Sequence, residues 1–346
     1  MADATIYGVI DQAITKSTTT VAGVQTKNTT GTSAYQMGDS ILGFKGEEDL
    51  GGGLKASFTQ EFGVQTQASS SLGTRQAFVG LSGGFGALTI GKQYSAAFFN
   101  VLSSDPFGGT GGTGALYVGN IFLGNQGTSA DNPLRQDQAI RYELPALVPG
   151  MRMAITKVLG NADTGNGSGA KVGDSTGLGI LYASGPLNVG YTTDSIKGQS
   201  IAAIKGTSAS GSVATGALVT TAAVAGVDAA ATSTTKLTTF AAGYDLGMAK
   251  LTYADAKIMN AGKGVKVSLT GIAVPMGAAT LMLTTSSGKA NALAGDTKLK
   301  GMQYGANYAL SKRTVAYFHA NNSTSTTVAN VVTKVKGFGL GVHHSF

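Results

Sequence analysis

The chain has 346 residues with 52 Gly and only 6 Pro, and charged residues make up 12% of it, about half the share usual in soluble domains. It has no Cys, which excludes disulfide frameworks, thiolate nucleophiles and Cys-ligated metals. No stretch supplies the ~20 consecutive apolar residues that a membrane-spanning helix needs. The longest uncharged stretch, between Lys205 and Asp228, is Ala, Ser, Thr and Gly broken by single Val or Leu, which predicts a polar loop.

The chain begins with a pattern of period two. Ile6, Ile10 and Ile14 fall on one face of an extended chain, and Asp11 falls on the other. Such alternation is typical of a strand with one apolar and one polar face. No basic segment followed by an apolar one precedes it. Either the protein is cytosolic, or a secretory signal has been removed before this sequence, and we expect the second.

The same alternation recurs further along the chain. Near residue 42, Leu42 and Phe44 fall opposite Lys45, which predicts that Lys45 lies on the polar face of a strand. At the other end of the chain, alternate residues again form one apolar face: Phe338, Leu340, Val342 and Phe346.

Two kinds of connection alternate between the predicted strands. The short ones are marked by Gly, Pro or charged residues, at 49–53, 83–86, 145–150, 185–187, 245–249, 275–279 and 310–313. The long ones are rich in Thr, Ser, Asn and Gly, at roughly 16–35, 65–74, 95–135, 160–174, 196–237, 259–264, 286–297 and 322–334. This alternation predicts an up-and-down sheet of about 16 strands whose two ends face different environments.

A sheet with so many strands needs its edges covered, and closure into a barrel removes them. If the outward face is apolar and the inward face polar, lipid surrounds the barrel and water fills it, because ~16 strands leave an aqueous channel. The predicted fold class is therefore all-β, a transmembrane antiparallel barrel in which residues 1–346 form a single domain. A β-solenoid would need a fixed repeat, and the sequence has none.

Five segments now carry a family resemblance. They are LGFKGEEDLGGGLKASF, RQAFVGLSGGFGALTIGKQY, RQDQAIRYELP, YALSKRT and LGVHHSF. Together they resemble the general trimeric porins of Gram-negative outer membranes, especially the β-proteobacterial branch. The match covers both ends and most strands but not the long loops. The chain departs from the family in having no Trp and in having Ile41 where some relatives have a pore-lining arginine.

The resemblance implies a fold and a function. The short turns would be periplasmic, the long loops extracellular, and the third loop, near 95–135 with Asp105, would fold into the lumen. The expected function is passive diffusion of small hydrophilic solutes and ions through a homotrimer. We expect no catalysis, cofactor, metal or nucleic-acid partner. Outer-membrane lipid and lipopolysaccharide would surround the barrel.

Strand parity and the resemblance together predict residues that line the pore. Arg135 and Arg141 fall opposite apolar Ile140, and Arg152 falls between outward Met151 and Met153. These positions, together with Lys45 and Asp105, are candidates for the constriction.

Arg75 aligns with a constriction arginine of the family, so it is also a candidate. The parity of Ala77, Val79 and Leu81 would turn Arg75 outward unless a bulge resets the register.

The net charge of +7 favours a mild anion preference. Basic residues outside the lumen would instead meet lipopolysaccharide phosphates, so net charge alone does not decide between the two.

The end of the chain resembles the signal that the barrel-assembly machinery reads in this family. By that resemblance, Phe346 carries the signal together with Phe338, Leu340 and Val342. A terminal Phe346 also suits an aromatic girdle at the membrane boundary.

Other functions leave weaker traces. Gly109, Gly111 and Gly114 fit the dinucleotide pattern G-x-G-x-x-G, but no helical start follows them. His343 and His344 are adjacent on a strand and point to opposite faces, so they cannot bind one metal together. Two alternatives stay open. One is a porin specific for an anion, sugar or organic acid, and the other is a structural or adhesive barrel, which the long loop at 196–237 would favour.

Overall fold

The computed structural model describes residues 3–33, 37–64, 72–108, 135–162, 171–172, 174–197, 234–260, 263–292 and 295–346. The dinucleotide-like glycines and most of the loop at 196–237 lie outside these residues. Within the described ranges, no helix is long and apolar enough to cross a membrane.

The described elements are strands with one short helix between them. The strands are β1 Asp3–Val21, β2 Val24–Ser33, β3 Ile41–Gly51, β4 Leu54–Gly63, β5 Gly73–Gly83, β6 Gly86–Tyr94, β7 Arg135–Glu143, β8 Met151–Val158, β9 Asn161–Ala162, β10 Lys171–Val172, β11 Ser175–Ser184, β12 Leu187–Lys197, β13 Thr234–Asp245, β14 Lys250–Asn260, β15 Lys263–Met276, β16 Ala279–Ala292, β17 Gly295–Ala309, β18 Thr314–Thr326 and β19 Val332–Ser345. The helix, α1, is Ala96–Leu102.

The strands close into one antiparallel barrel. Seventeen strand segments form a single sheet, and β9 and β10 form a separate small hairpin. Segments β2 and β3 pair in succession along the same strand, β1, so they count as one interrupted barrel strand and leave sixteen. The circle closes where β1 pairs with β19, from Val9 opposite Ser345 to Val21 opposite Thr333. The predicted all-β class and antiparallel barrel are confirmed.

Several predicted loop boundaries are wrong. The segment 16–35 is mostly strand, because β1 and β2 continue to a tight turn at Ala22 and Gly23, both with positive φ. Strands likewise extend through most of the predicted loops at 259–264, 286–297 and 322–334. Threonine suits an extended chain that has a partner strand, so Thr-rich composition does not separate these strand ends from loops.

The outer surface of the barrel is apolar. Large apolar side chains on the strands point outward and are exposed, with Ile6 62% exposed and Val79 60% exposed. Neighbouring positions on the same strands point inward and are polar, as at Asp11 and Thr15. An apolar band outside and polar groups inside are typical of a barrel that spans a membrane around water.

Asp11 organises the interruption between β2 and β3. Its carboxylate is fully buried and accepts hydrogen bonds from the backbone N–H groups of Met37 and Gly38, both at 3.0 Å. The other carboxylate oxygen accepts a 2.6 Å bond from the Tyr317 hydroxyl on β18. Residues 37–40 of the segment between β2 and β3 therefore fold against the seam between the two ends of the chain.

The C-terminal residue lies in the same seam. Phe346 and Gly8 exchange two backbone hydrogen bonds, at 3.0 and 3.2 Å. The Phe346 ring occupies the space that a Gly8 side chain would fill. The ring itself is 48% exposed on the outer face, as are Phe338, Leu340 and Val342 at 44%, 59% and 45%.

We predict that Asp11→Asn destabilises the barrel. One carboxylate oxygen accepts from two backbone N–H groups that can only donate, so the amide would present its oxygen there and its NH2 group to the Tyr317 hydroxyl, and both sets of bonds would lose the carboxylate charge. The free energy of unfolding should fall by about 2–4 kcal/mol, measured by denaturant unfolding in detergent. The matched control is Asp245→Asn in an exposed turn, where the carboxylate accepts one 2.8 Å bond from Gly247. Equal stability of the two variants would contradict the assigned role of Asp11.

Candidate functional site: the constriction in the lumen

The chain that leaves β6 turns into the barrel as a short helix. The Ser95 hydroxyl caps α1 by accepting a 3.1 Å bond from the Phe98 N–H. From there α1 contacts β11, β12 and β13. This part of the predicted third loop therefore folds into the lumen, as the resemblance implied; residues 109–134 lie outside the described ranges.

The helix packs against a part of the inner wall that has glycines in place of larger side chains. Asn100 on α1 donates a 2.8 Å hydrogen bond to the Thr239 hydroxyl of β13. Beside it, Gly179 and Gly190 leave room for the helix, since a Cβ at Gly179 would lie 2.6 Å from the Ala96 Cβ. The absence of side chains at these two glycines lets α1 pack directly against the strands.

The segment after α1 continues across the interior. Pro106 lies over Gly271 of β15, and the Phe107 ring meets the His319 ring of β18 edge-on, with centroids 5.0 Å apart. The candidate Asp105 is buried, and its carboxylate accepts a 3.0 Å bond from the Phe107 N–H. Asp105 therefore shapes the turn that places Pro106 and Phe107 against the wall.

Arg75 points into the lumen because β5 contains a bulge. Glu61 of β4 pairs with Gln76 and Phe62 pairs with Thr74, so Arg75 has no register partner. The extra residue turns its side chain toward Glu61, with a 2.9 Å bond from Nε to Oε1. The same guanidinium also pairs with Asp39 and with the Tyr94 hydroxyl.

Arg135 joins the same group from β7. Its guanidinium lies 3.3 Å from the Asp39 carboxylate and 5.1 Å from the centre of the Tyr94 ring. The Arg75 guanidinium lies 5.9 Å from that ring, so Tyr94 has a cation–π contact with each arginine. The Tyr94 ring also stacks on Phe98 of α1 at 4.5 Å, which connects the arginines to the folded-in loop.

Lys45 approaches this group from β3. Its ammonium lies 5.4 Å from the centre of the Tyr7 ring. The Tyr7 hydroxyl in turn donates a 3.2 Å bond to Glu61, the partner of Arg75. Lys45 is thus on the inner face, at the side of the arginine group.

Arg141 and Arg152 form a second charged group nearer the short turn at 145–150. Arg152 makes two bonds to the Glu143 carboxylate, at 2.8 and 3.0 Å, and Arg141 lies 3.6 Å from the same acid. Arg141 also contacts the Tyr94 carbonyl and the Phe99 ring. These groups line a cavity of about 160 Å³ beside the helix.

Four members of the site are not predicted from the sequence: Tyr7, Asp39, Glu61 and Tyr94. Alternation from Ser57 to Glu61 could have placed Glu61 on the inner face. Asp39 lies in the irregular segment and Tyr94 at a strand end, where period-two patterns indicate no direction. The described charges near the constriction include five basic residues, Lys45, Arg75, Arg135, Arg141 and Arg152. They also include five acids: Asp39, Glu61 and Glu143, which pair with arginines, and Asp105 and Asp194, which are buried.

The described strands thus form a closed barrel with the chain after β6 folded inside and charged side chains on the inner face. A model of the Gram-negative porin family matches residues 1–328. The chain belongs to the Gram-negative porin family. The porin is accordingly a protein of the Gram-negative outer membrane.

Known proteins resemble parts of this porin in sequence and all of it in fold. It is 43% identical over 98 residues to the major outer membrane protein P.IB of Neisseria meningitidis, which covers 28% of this chain and 29% of the relative. It is 33% identical over 197 residues to outer membrane porin protein 32 of Delftia acidovorans, which covers 53% and 51%. The matched parts thus span 29% to 51% of the length of these relatives.

Among solved structures, an anion-selective porin from Comamonas acidovorans superposes with a TM-score of 0.77 at 22% identity. The superposition covers 100% of both chains. At this level of identity the likeness concerns the fold.

We predict that Gly179→Val lowers the single-channel conductance of this porin. The new side chain would meet Ala96 and push α1 toward the centre of the lumen, at a strain of about 1–3 kcal/mol. The control is Gly31→Val on β2, where an added Cβ meets no atom within 4 Å. Planar-bilayer recordings should show smaller steps for the first variant and wild-type steps for the second. Unchanged steps in Gly179→Val would contradict the seating of α1.

Proposed function

We propose that this chain is a general diffusion porin whose whole length acts as one barrel domain. Small hydrophilic solutes and ions would cross through the water-filled lumen and pass the charged group beside α1. The observation that carries this proposal is the set of ionised side chains on the inner face of a closed sheet, where lipid cannot solvate them and water can. Passive passage through such a pore needs no catalytic group and no cofactor.

We further propose that the pore favours anions mildly. Five basic residues lie around the constriction, against three acids that arginines engage and two acids, Asp105 and Asp194, that are buried. In a narrow pore with walls of low dielectric, the basic side chains that reach the lumen attract anions and repel cations. The anion selectivity of the Comamonas porin with the same fold supports this proposal.

A substrate-specific porin for organic acids is the second candidate. The Tyr94, Phe98 and Phe99 rings pack together within 6.0 Å, next to the arginines, and offer apolar faces beside positive charge. An aromatic carboxylate would find both partners there. If the pore is specific for organic acids, benzoate should block the ion current in planar-bilayer recordings. If it is a general pore, benzoate should leave the current unchanged.

The proposed assembly is a homotrimer. The outer face of β3–β6 has an apolar depression of about 400 Å³ lined by side chains that include Phe58, Val79 and Ile90. On β6, Lys92 is two residues from Ile90 and lies on the same face, since the two residues pair with Ala77 and Val79 of β5. The Lys92 ammonium lies 2.8 Å from the Asp137 carboxylate of β7. A charge pair on this face is costly against lipid and is tolerated against a neighbouring subunit. Conductance steps in groups of three would report the trimer.

We predict that Arg135→Glu shifts the reversal potential toward cation selectivity. The change replaces a positive charge at the constriction by a negative one, and the anion-to-cation permeability ratio should fall by roughly threefold at low salt. The measurement is the zero-current potential of a bilayer under a salt gradient. Lys334→Glu, the same charge change on an exposed lysine of the outer face, should leave the ratio close to wild type. Equal shifts of the reversal potential in the two variants would contradict the placement of Arg135 at the constriction.

We propose that the barrel-assembly machinery reads the C-terminal strand, with Phe346 as its end point. Deleting Phe346 should reduce the folded, heat-modifiable band in cell envelopes several-fold, since it removes both the exposed ring and the closing bonds to Gly8. The control is Phe318→Ala, which removes a ring of similar exposure, 40%, from the neighbouring strand. Normal amounts of folded protein without Phe346 would exclude this role.

A further inference from the structure

A single acid lies between two arginines of the constriction. The guanidinium groups of Arg75 and Arg135 contact the same carboxylate oxygen of Asp39, and the Arg135 Nη2 atom lies 3.3 Å from it. The two arginine side chains are only 14% and 18% exposed, whereas the Asp39 side chain is 32% exposed. The arginines are therefore largely covered, and the carboxylate that they share reaches the lumen beside them.

Within this group the charges cancel. Glu61 is buried, and its carboxylate accepts a 2.9 Å bond from the Nε atom of Arg75. Glu61 and Asp39 together balance Arg75 and Arg135, so the four side chains have a formal net charge of zero. If Asp39 lost its charge, the group would carry one positive charge. A narrow pore with walls of low dielectric transmits such a change to the ions that pass it.

The backbone on both sides of Asp39 is held by Asp11. The Gly38 N–H donates a 3.0 Å bond to the Asp11 carboxylate, and the Ser40 hydroxyl accepts a 3.0 Å bond from the Asp11 N–H. The Ser40 carbonyl also accepts a 2.8 Å bond from the Val64 N–H, just after β4. Asp39 thus lies between two anchored residues, and these anchors direct its side chain to the arginines.

Other contacts already hold the two arginines in place. Arg75 is bonded to the buried Glu61, and the Arg135 guanidinium lies 5.1 Å from the centre of the Tyr94 ring. Asp39 comes from a separate segment, so the arginines keep these contacts without it. The loss of its charge should therefore leave both guanidinium groups at the inner wall and more open to the ions that pass.

We propose that Asp39 determines the ion selectivity of this pore by neutralising Arg75 and Arg135, and that Asp11 is the residue that positions it. An anion in the lumen meets guanidinium donors that are already bound to a carboxylate of the chain, so the pore discriminates weakly. Without that carboxylate, the same N–H groups would be available to a free anion. The inference deepens the proposed mild anion preference and rests on the proposed function in requiring that ions pass this group.

The test is Asp39→Asn in the full chain, with the zero-current potential of a planar bilayer measured under a KCl gradient. The amide keeps the shape of the side chain and removes its charge. The anion-to-cation permeability ratio should therefore rise about threefold at low salt, and less at high salt. The matched control is Asp296→Asn, which removes an exposed acid that pairs with Lys289 at 2.7 Å outside the lumen. The control should keep the wild-type ratio.

The positioning role of Asp11 is tested by combining variants. Asp11→Asn weakens the bond that holds Gly38, so it should raise the permeability ratio in the same direction as Asp39→Asn. In a chain that already carries Asp39→Asn, it should add nothing, because no charge is left to misplace. A merely structural role would lower the free energy of unfolding and leave the ratio of the folded channels unchanged. If Asp11→Asn does not fold, Ser40→Ala tests the same anchor.

An unchanged ratio in Asp39→Asn, or an equal rise in Asp296→Asn, would overturn the proposal. A further rise when Asp11→Asn is added to Asp39→Asn would overturn the positioning role. Failure of the proposed function gives a different result, since a wild-type protein that carries no current contradicts the pore itself. A wild type that conducts without preference, together with an Asp39→Asn variant that prefers anions, contradicts only the mild preference and supports the role of Asp39.

Discussion

The backbone hydrogen bonds of the closed sheet are the constraint on which the rest of this porin depends. Hydrocarbon offers no water to an unpaired N–H or C=O group, so a sheet in lipid needs a partner for every edge. Here the edges meet where β1 pairs with β19, and the bonds between Phe346 and Gly8 extend the pairing to the last residue. Asp11 adds the Tyr317 hydroxyl and the interrupted segment after β2 to the same seam. The two ends of the chain are therefore structural parts of the pore.

The barrel wall holds helix α1 in a fixed position. Helix α1 has seven residues and could not hold its place alone, since helices of that length are unstable in water. It is held by Asn100, by the glycines of β11 and β12, and by the stack of Phe98 on Tyr94. Through Tyr94 the helix also touches the arginines of β5 and β7. The arginines of β5 and β7, Tyr94 and helix α1 thus form one packed unit, so displacing the helix would also disturb the charges.

The period-two pattern carries most of what could be predicted from the sequence. It indicates the barrel, the strand number and the inward direction of Lys45, Arg141 and Arg152, because alternate side chains of a strand always point to opposite faces. Arg75 shows where such reasoning stops. One extra residue in β5 turns the Arg75 side chain to the opposite face of the sheet, and no residue type in this segment predicts that bulge. Asp39 has no strand parity at all, and its place depends on how the segment after β2 folds against Asp11. The ends of several strands cannot be predicted from composition, because Thr-rich sequence occurs both in hydrogen-bonded strands and in loops.

Alternation identifies two faces, but it does not say which solvent each face meets. On β13–β17 the outward face is apolar near the short turns and lysine-bearing toward the other end, where several inward positions are buried and apolar. Buried Leu237, Val267 and Leu299 belong to the cluster that includes Ala97 and Val101 of α1. The change marks where lipid gives way to water outside and where packed chain replaces water inside. The net charge of +7 therefore sums the charges of the outer face and of the lumen. The charge that ions would meet in the lumen depends on inward residues such as the arginines beside Tyr94.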